Sequence, residues 1–595
     1  CLGDAGLGTA VISRYTLSLL TADQFKRTAS TTAACEYLRR RNPDGLGNEH
    51  VSVGLWVGEA TSPNDYGKAK ERYDELRDAG ETDERFLLDR CPWCGTEIVP
   101  RKHHEDDGLY GIAASDSSFR FNCPSSKCEF HDFIPVQVVD EGLFDHPPTF
   151  LLGTIDKVAQ HAWVQKSGVL FGHAIHRRPP SLIIQDELHL LTGPLGTTVG
   201  LYETAINLLC EYDGRPPKVV SSTATIRRAS AQVMGLFGRE VDLFPPTGID
   251  ADDSYFARVD KDSPGRLYVG LMAQGHTSDT AVVHTGSALL QAPVDLALTG
   301  AAQDAYWTVV AYHSSLRELG RTVTIARDDI NSRLSSLVVD RPRRKYEVEE
   351  LSSSVPRALQ PRLLERLNLP VQSGSVIDFI ATTNMLAVGV DVPRLGLMLV
   401  NGQPKATAEY IQATSRVGRD TAPGLIFGLF RSTKPRDRSH YENFRAYHSS
   451  LYRHVEPTSV TPFSPPSRDR ALHAALVILV RHRVGMSGDG SAGQILQRRA
   501  EIEQMASRLV AAVGRVEPRE KKGAQVYLDQ FIEDWVAKAQ RADEQNKVLY
   551  YKPNGKGQVN LIRQFHTKAE GWQTLGSMRN VDVESLVELA NYRTH

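Results

Sequence analysis

No run of 18 apolar residues occurs in this 595-residue sequence, so a membrane-spanning helix is excluded and no membrane partner is expected. Charge of one sign is missing as well: 69 Lys and Arg stand against 71 Asp and Glu. A net charge of −2 advertises no polyanion partner, and any nucleic-acid surface has to be a local patch. Cysteine is scarce, with 7 residues, too few to staple a chain of this length through disulfides. The opening CLGDAGLGTAVISRY lacks the basic-then-apolar order of a signal peptide, and no fixed-period repeat is visible. These absences leave a cytoplasmic, multidomain globular protein, whose 41% hydrophobic content suffices for several cores.

Apolar runs of strand length recur through the chain, most of them followed by a helical period. TAVISRY precedes ADQFKRTASTTAACEYLRRR, TFLLGT precedes IDKVAQHAW, and PKVVS precedes RRASAQVMGLFG. Buried strand followed by helix is the pattern of an α/β protein with parallel sheets. After residue 260 the rhythm restarts with GRLYVGLMAQ, YWTVVAYHSS, VIDFIATT and GLIFGLF. Three regions are expected: a first α/β domain over 1–240 with an insert at about 85–135, a second over 241–433, and a helical region over 434–595.

The run SLIIQ delivers two adjacent carboxylates, Asp186 and Glu187, to the mouth of a strand, with His189 two residues on. In nucleotide-hydrolysing α/β domains the first such acid holds Mg²⁺ and the second orients or deprotonates the attacking water. An isolated Asp-Glu after a strand more often caps a helix. Three further stretches shift that balance. SSTAT (221–225) places small hydroxyls after another strand, and QATSRVGRD (412–420) sets Arg416 and Arg419 three apart, where one helical turn would bring both to a common face. ATTNMLAVGVDVP (381–393) carries Gly389 and Asp391 in a loop suited to close backbone approach.

Taken in order, these stretches resemble the motor core of the superfamily 2 helicases, with motif II as DELH, motif III as STAT, motif V as TTNMLAVGVD and motif VI as QATSRVGR. The resemblance covers roughly residues 10–430 and implies two RecA-like domains that bind ATP and Mg²⁺. Asp186 would then hold Mg²⁺, Glu187 would activate water, and Arg416 and Arg419 would act as arginine fingers. His189, Ser222, Thr223, Thr225, Gly389, Asp391 and Gln412 would couple nucleotide state to the two domains. Arg14, Thr154, Lys157 and Thr383 stand where this superfamily grips the phosphates of a nucleic acid. Further stretches, including CPWCG, DELHLLTGPLGTTVGLYE, VEPTSVTPFSP and GWQTLGSMRNVDVES, resemble the DrmA family, the large helicases of the DISARM anti-phage system. That finer resemblance implies a DNA translocase working on single-stranded DNA or a duplex with an overhang. It also implies two partners, a DUF1998-containing protein called DrmB and a DNA methyltransferase.

The sequence departs from the superfamily at one point: no G-x-x-x-x-G-K-[ST] phosphate loop occurs. Family order places that loop upstream of Cys1, and a chain that begins with Cys agrees with this expectation. An RNA helicase, or a scaffold that keeps the fold without hydrolysis, are the alternatives.

Four of the seven cysteines fall into two close pairs, Cys91 with Cys94 and Cys123 with Cys128. A C-x₂-C and C-x₄-C set satisfies tetrahedral Zn²⁺ with no open position, which predicts a structural zinc insert. An iron–sulfur cluster is the alternative, and His103, His104 and His131 lie near enough in sequence to replace a ligand.

Overall fold

The computed structural model describes residues 8–578 apart from 16–17, 60, 79–85, 101–102, 224–228, 247, 251–252, 264, 338–342, 344–345, 357–358, 385–391, 420–421, 457, 554, 556–557, 566 and 568–569. Among the described residues no helix is long and apolar enough to cross a membrane.

The apolar runs ahead of the motif residues fold as parallel strands. In chain order these are β1 (Val11–Tyr15), β2 (Val53–Trp56), a hairpin of β3 (Ile112–Ser115) and β4 (Ser118–Phe121), then β5 (Val136–Gln137), β6 (Phe150–Thr154), β7 (Leu182–Gln185) and β8 (Lys218–Ser221). Six of them form one all-parallel sheet in the order β5-β2-β6-β1-β7-β8. At its centre Ile12 of β1 pairs with Leu151 on one side and Ile183 on the other. Parallel sheets are covered on both faces, which is why these strands read as continuous apolar runs. The helix α1 (Ser18–Arg41) follows β1, and the segment after β6, Ile155–Ala162, is a 3₁₀ helix rather than the α-helix its sequence suggests.

A second all-parallel sheet is built from β9 (Arg266–Met272), β10 (Val309–Tyr312), β11 (Val348–Leu351), β12 (Phe379–Thr382), β13 (Leu397–Asn401) and β14 (Gly424–Phe430), in the order β11-β12-β10-β13-β14-β9. Its core gathers Val309, Ala311, Phe379, Ala381, Leu397 and Leu399 against the helices that flank it. The fold class is therefore α/β with two parallel sheets, as the strand–helix rhythm predicts.

The chain divides into two compact units, and this changes the expected organisation. The first unit comprises Cys1–Thr223, Arg228–Val241 and Thr458–His595; the second comprises Ala224–Arg227 and Asp242–Pro457. Most of the helical C-terminal region thus belongs to the first unit, while its beginning, up to Pro457, stays with the second sheet. The physical reason lies in the helix Pro465–Leu479, where every residue from Ala471 to Leu479 is buried. A helix that is apolar all round needs neighbours all round. It finds them in the helices Gly193–Leu209, Ile495–Val516 and Lys521–Glu544.

Polar contacts complete the seam between the first sheet and the C-terminal helices. His482 Nε2 lies 2.7 Å from the His161 carbonyl, and Arg481 donates to the Ala162 carbonyl at 3.0 Å. Trp163 Nε1 donates to the Leu575 carbonyl at 2.8 Å. The stretch HYENFRAYHSSLYRH packs within the second unit: Phe444 and His448 stack at 3.9 Å, and Tyr447 OH lies 3.2 Å from both Gln403 and Thr407.

The buried histidines of the seam give a pH prediction. Burial pushes the imidazole of His473 down to about 4 and that of His482 down to about 3, against an ordinary value near 6.5. Both are neutral in the fold, so they take up protons preferentially on unfolding as pH drops below 6.5. Stability is complete above that pH and is lost progressively as pH falls toward 4. The urea midpoint of the first unit is expected to fall steeply between pH 6.5 and 4. His473→Gln, which keeps hydrogen-bonding capacity toward Tyr527 and Thr574, is expected to flatten that slope.

Candidate functional site

Functional side chains collect at the carboxyl end of the first sheet, where parallel α/β sheets place their ligands. Asp186 follows directly on β7 and Ser222 on β8, and these neighbouring strands bring the two together: Ser222 Oγ donates to Asp186 Oδ1. The Glu187 N–H also donates to Oδ1, at 2.9 Å, and the Leu188 N–H donates to the Ser222 carbonyl at 3.0 Å. Both bonds to the Asp186 carboxylate among the described residues fall on Oδ1, which leaves Oδ2 for a hydrated cation such as Mg²⁺.

Glu187 adopts a left-handed backbone, φ 52°, unusual for a residue with a side chain. Its carboxylate lies 3.4 Å from His189 Nδ1, and that same nitrogen lies 3.4 Å from Thr223 Oγ1. Acid pair, histidine and the hydroxyls of Ser222 and Thr223 therefore form one connected constellation. Thr225 lies outside the described residues.

Gln232 holds the loop that carries this constellation. Its side chain, 1% exposed, donates to the carbonyls of Leu188 and Leu191, both at 2.9 Å. No motif singles it out in the sequence, although a glutamine inside the apolar helix ASAQVMGLF is itself a signal, because a buried amide has to find partners.

Burial separates the residues expected to grip phosphates from solvent. Arg14 is 3% exposed and its guanidinium is ion-paired with Glu203, which is fully buried. That placement makes Arg14 an internal ion-pair partner and does not present its charge to a phosphate; the sequence shows the arginine but not the glutamate 189 positions later. Thr154 is buried at the end of β6, and Lys157 sits 3.0 Å from Asp140 and 5.3 Å above the Trp56 ring. Burial pushes the Asp140 carboxyl up, opposed by the Lys157 ammonium and by hydrogen bonds from Trp56 and Ser62. Tyr15, at the end of β1, is raised by burial and by the nearby negative charge of Asp186.

In the second unit, Gln412 is buried within the helix Thr407–Thr414. Arg416 and Arg419 do not continue that helix, which corrects the expected one-turn spacing. The helix ends at Thr414, and Gly418 turns the chain with a left-handed φ of 68° where a Cβ would collide with the Gly424 backbone. Arg416 is half-buried and Arg419 exposed, with its Nε donating to the Ser415 carbonyl at 2.9 Å. Arg266, at the start of β9, braces this turn by donating to the carbonyls of Val417 at 2.9 Å and Ser415 at 3.1 Å. No motif marks Arg266 in the sequence. Thr383 is buried just past β12, and Gly389 and Asp391 lie outside the described residues.

The metal centre is the most compact group. The Sγ atoms of Cys91, Cys94, Cys123 and Cys128 all lie within 4.8 Å of one another, with Cys94 to Cys123 at 3.5 Å and Cys91 to Cys128 at 3.8 Å. Thiolates bound at about 2.3 Å around one tetrahedral Zn²⁺ are about 3.8 Å apart, so a single ion fits. Thiolates bound to separate irons of a cluster would have to stand farther apart. Four thiolates at this spacing repel one another and need a cation among them. The nearby histidines are otherwise engaged: His131 Nδ1 lies 2.8 Å from the Cys123 carbonyl and His103 Nδ1 lies 2.6 Å from that of Arg77.

Comparison with known proteins gives three kinds of match. The helicase conserved C-terminal domain family matches residues 308–421, the stretch that spans β10 to the Arg416–Arg419 turn. The DISARM protein DrmA of Bacillus paralicheniformis is 34% identical over 97% of this chain, and the chain spans 56% of the length of that relative. Among solved structures, the Mycobacterium smegmatis helicase Lhr bound to single-stranded DNA and AMP-PNP aligns over 89% of this chain and 50% of its own, with 14% identity and a TM-score of 0.49. The DUF1998 helicase MrfA bound to DNA and AMPPNP aligns over 79% of this chain and 52% of its own, with 13% identity and a TM-score of 0.46.

Proposed function

We propose that this chain, which is similar over 97% of its length to the DISARM protein DrmA and matches the helicase conserved C-terminal domain family over residues 308–421, is the motor part of an ATP-driven superfamily 2 DNA translocase or helicase of bacterial anti-phage defence. The observation that supports the reading most directly is the bonded set Asp186–Ser222 and Glu187–His189–Thr223 at the carboxyl edge of the first sheet. Such a set joins a metal-holding acid and a water-orienting acid to hydroxyls on the next strand, so a change at the γ-phosphate has a path into the sheet.

In this reading Asp186 would hold Mg²⁺, which would shield phosphate charge, Glu187 would orient the attacking water, and Arg416 and Arg419 would neutralise charge on the transferring phosphoryl group. His189, Ser222, Thr223, Thr225, Gly389, Asp391 and Gln412 relay nucleotide state. Lys157, half-buried beside Asp140, is the residue of the first unit left to meet the DNA backbone, through a contact that ignores base identity. The four-cysteine centre holds Zn²⁺ and stiffens the insert. The chain works in the cytoplasm beside a DUF1998-containing DrmB protein and a DNA methyltransferase.

The test is ATP turnover by the natural gene product in the presence of single-stranded DNA or RNA of equal length. DNA is expected to raise turnover well above the basal rate while RNA leaves it near basal. Stimulation by RNA alone would replace the reading with an RNA helicase.

A further inference from the structure

The zinc turn carries a surface that the motor core does not use. Trp93 stands between the ligands Cys91 and Cys94, in a turn closed by hydrogen bonds from the Gly95 N–H to the Cys91 carbonyl at 3.0 Å and from the Cys91 N–H to the Thr96 carbonyl at 2.8 Å. A turn this tight leaves the indole no place in a core, and 39% of Trp93 remains exposed.

The last turns of α1 meet it. Tyr37 stacks on Trp93 at 4.6 Å, and Arg41, one helical turn on, lies 4.3 Å above the Tyr37 ring. On the other side Trp93 meets Phe130 at 5.8 Å, and Arg40 lies 4.7 Å above that ring. The result is a continuous ladder of cation, ring, ring, ring and cation across two elements. Arg40 is largely committed, to Glu36 at 3.0 Å and to the Glu129 carbonyl at 2.9 Å. Arg41 makes a long pairing with Glu129, at 3.8 Å, and 65% of its side chain is exposed.

We propose that this ladder is a binding surface for single-stranded nucleic acid, with a base stacking on the open face of Trp93 and a backbone phosphate meeting Arg41. Rings interleaved with arginines are what sequence-tolerant single-strand binding requires: every base has a π-face, and every nucleotide brings a charge. A basic helix end alone would be explained by the helix dipole. The dipole does not explain why two of those arginines are stacked on the rings that flank an exposed tryptophan. The surface rests on the reading of the chain as a DNA motor and adds a contact on the zinc insert, so strand binding and metal binding are linked through Trp93.

The experiment is equilibrium binding of the natural gene product to a fluorescent single-stranded oligonucleotide across a salt series, with zinc content and DNA-independent ATP turnover measured on every variant. Trp93→Leu is expected to weaken binding by about fivefold or more, the low end of what one stacked base contributes. Arg41→Gln is expected to lower the slope of log affinity against log salt by about 0.7, one phosphate contact, and Arg41→Lys to restore it. Zinc content and basal turnover are expected to stay at parental values. If Trp93→Leu lost its zinc, Arg41→Gln would carry the test, because that residue lies on α1 outside the metal turn. Unchanged affinity and slope in the arginine variant, with zinc retained, would overturn the surface while leaving the motor reading intact. A parent protein that binds no single strand at all would overturn both. Equal losses on DNA and RNA oligonucleotides would keep the surface and show that it accepts either sugar.

Discussion

The Glu187→Gln variant is expected to bind DNA as the parent does and to hydrolyse ATP about a hundredfold more slowly or worse, a loss of about 3 kcal/mol of transition-state stabilisation. The substitution keeps the size of the side chain and the capacity to hydrogen-bond, and it removes only the charge that orients and deprotonates water. Its environment supports this assignment. Glu187 is held in a left-handed backbone conformation, φ 52°, and its carboxylate is set 3.4 Å from His189. A capping residue would not need that geometry, since its side chain would turn back to the following N–H groups. Asp186, by contrast, receives the Ser222 hydroxyl and the Glu187 N–H on one oxygen. Asp186→Asn is therefore expected to weaken Mg²⁺-dependent nucleotide binding as well as turnover. Steady-state turnover at saturating ATP, read beside nucleotide affinity, separates the two acids.

The second large effect concerns the metal. Purified protein is expected to hold one zinc per chain by metal mass spectrometry, and Cys123→Ser is expected to lose it together with the fold of the insert. The apparent stabilisation from a structural Zn²⁺ is on the order of 10 kcal/mol in small domains, more than a module of this size can replace. The insert's own core is small: Phe86 packs on Phe119 at 5.0 Å and Phe119 on Phe121 at 5.1 Å, and Leu88, Ile98, Ile112 and Ile134 are the main aliphatics buried in the same segment. A core this small does not stand without a staple. Limited proteolysis of the variant should cut within residues 86–135 while the buried helix Pro465–Leu479 stays protected. A variant that loses zinc and keeps an uncut insert would show that the cysteines are not structural.

Much of this architecture is legible in the sequence. Parallel strands buried on both faces have to be spelled as apolar runs, so VISRY, FLLGT, LIIQ and FIAT announce themselves. The four cysteines are equally plain, because metal spacing is local. Long-range pairing is not legible. Arg14 is expected, by resemblance, to grip a nucleic-acid phosphate, and only the fold brings it to Glu203. The assignment of Thr458–His595 to the first unit depends on contacts such as Arg508 to Glu211 at 2.6 Å, which no local pattern encodes. Gln232 and Arg266 act by donating to carbonyls, and a backbone acceptor leaves no trace in sequence. The arginines of QATSRVGRD stand out by their type but read as helical, because the helical period runs past Thr414 until Gly418 turns it aside.

The measurement that tests the central claim most directly is displacement of a triplex-forming strand from a DNA duplex bearing a single-stranded loading site, by the natural gene product with ATP. Motion along the backbone should strip the third strand only when ATP is hydrolysed, and the Glu187→Gln variant should leave it in place while still binding the DNA. A triplex that persists under ATP, with the wild-type protein demonstrably bound, would contradict the account, and if nucleotide is not turned over either, the two parallel sheets are a binding scaffold.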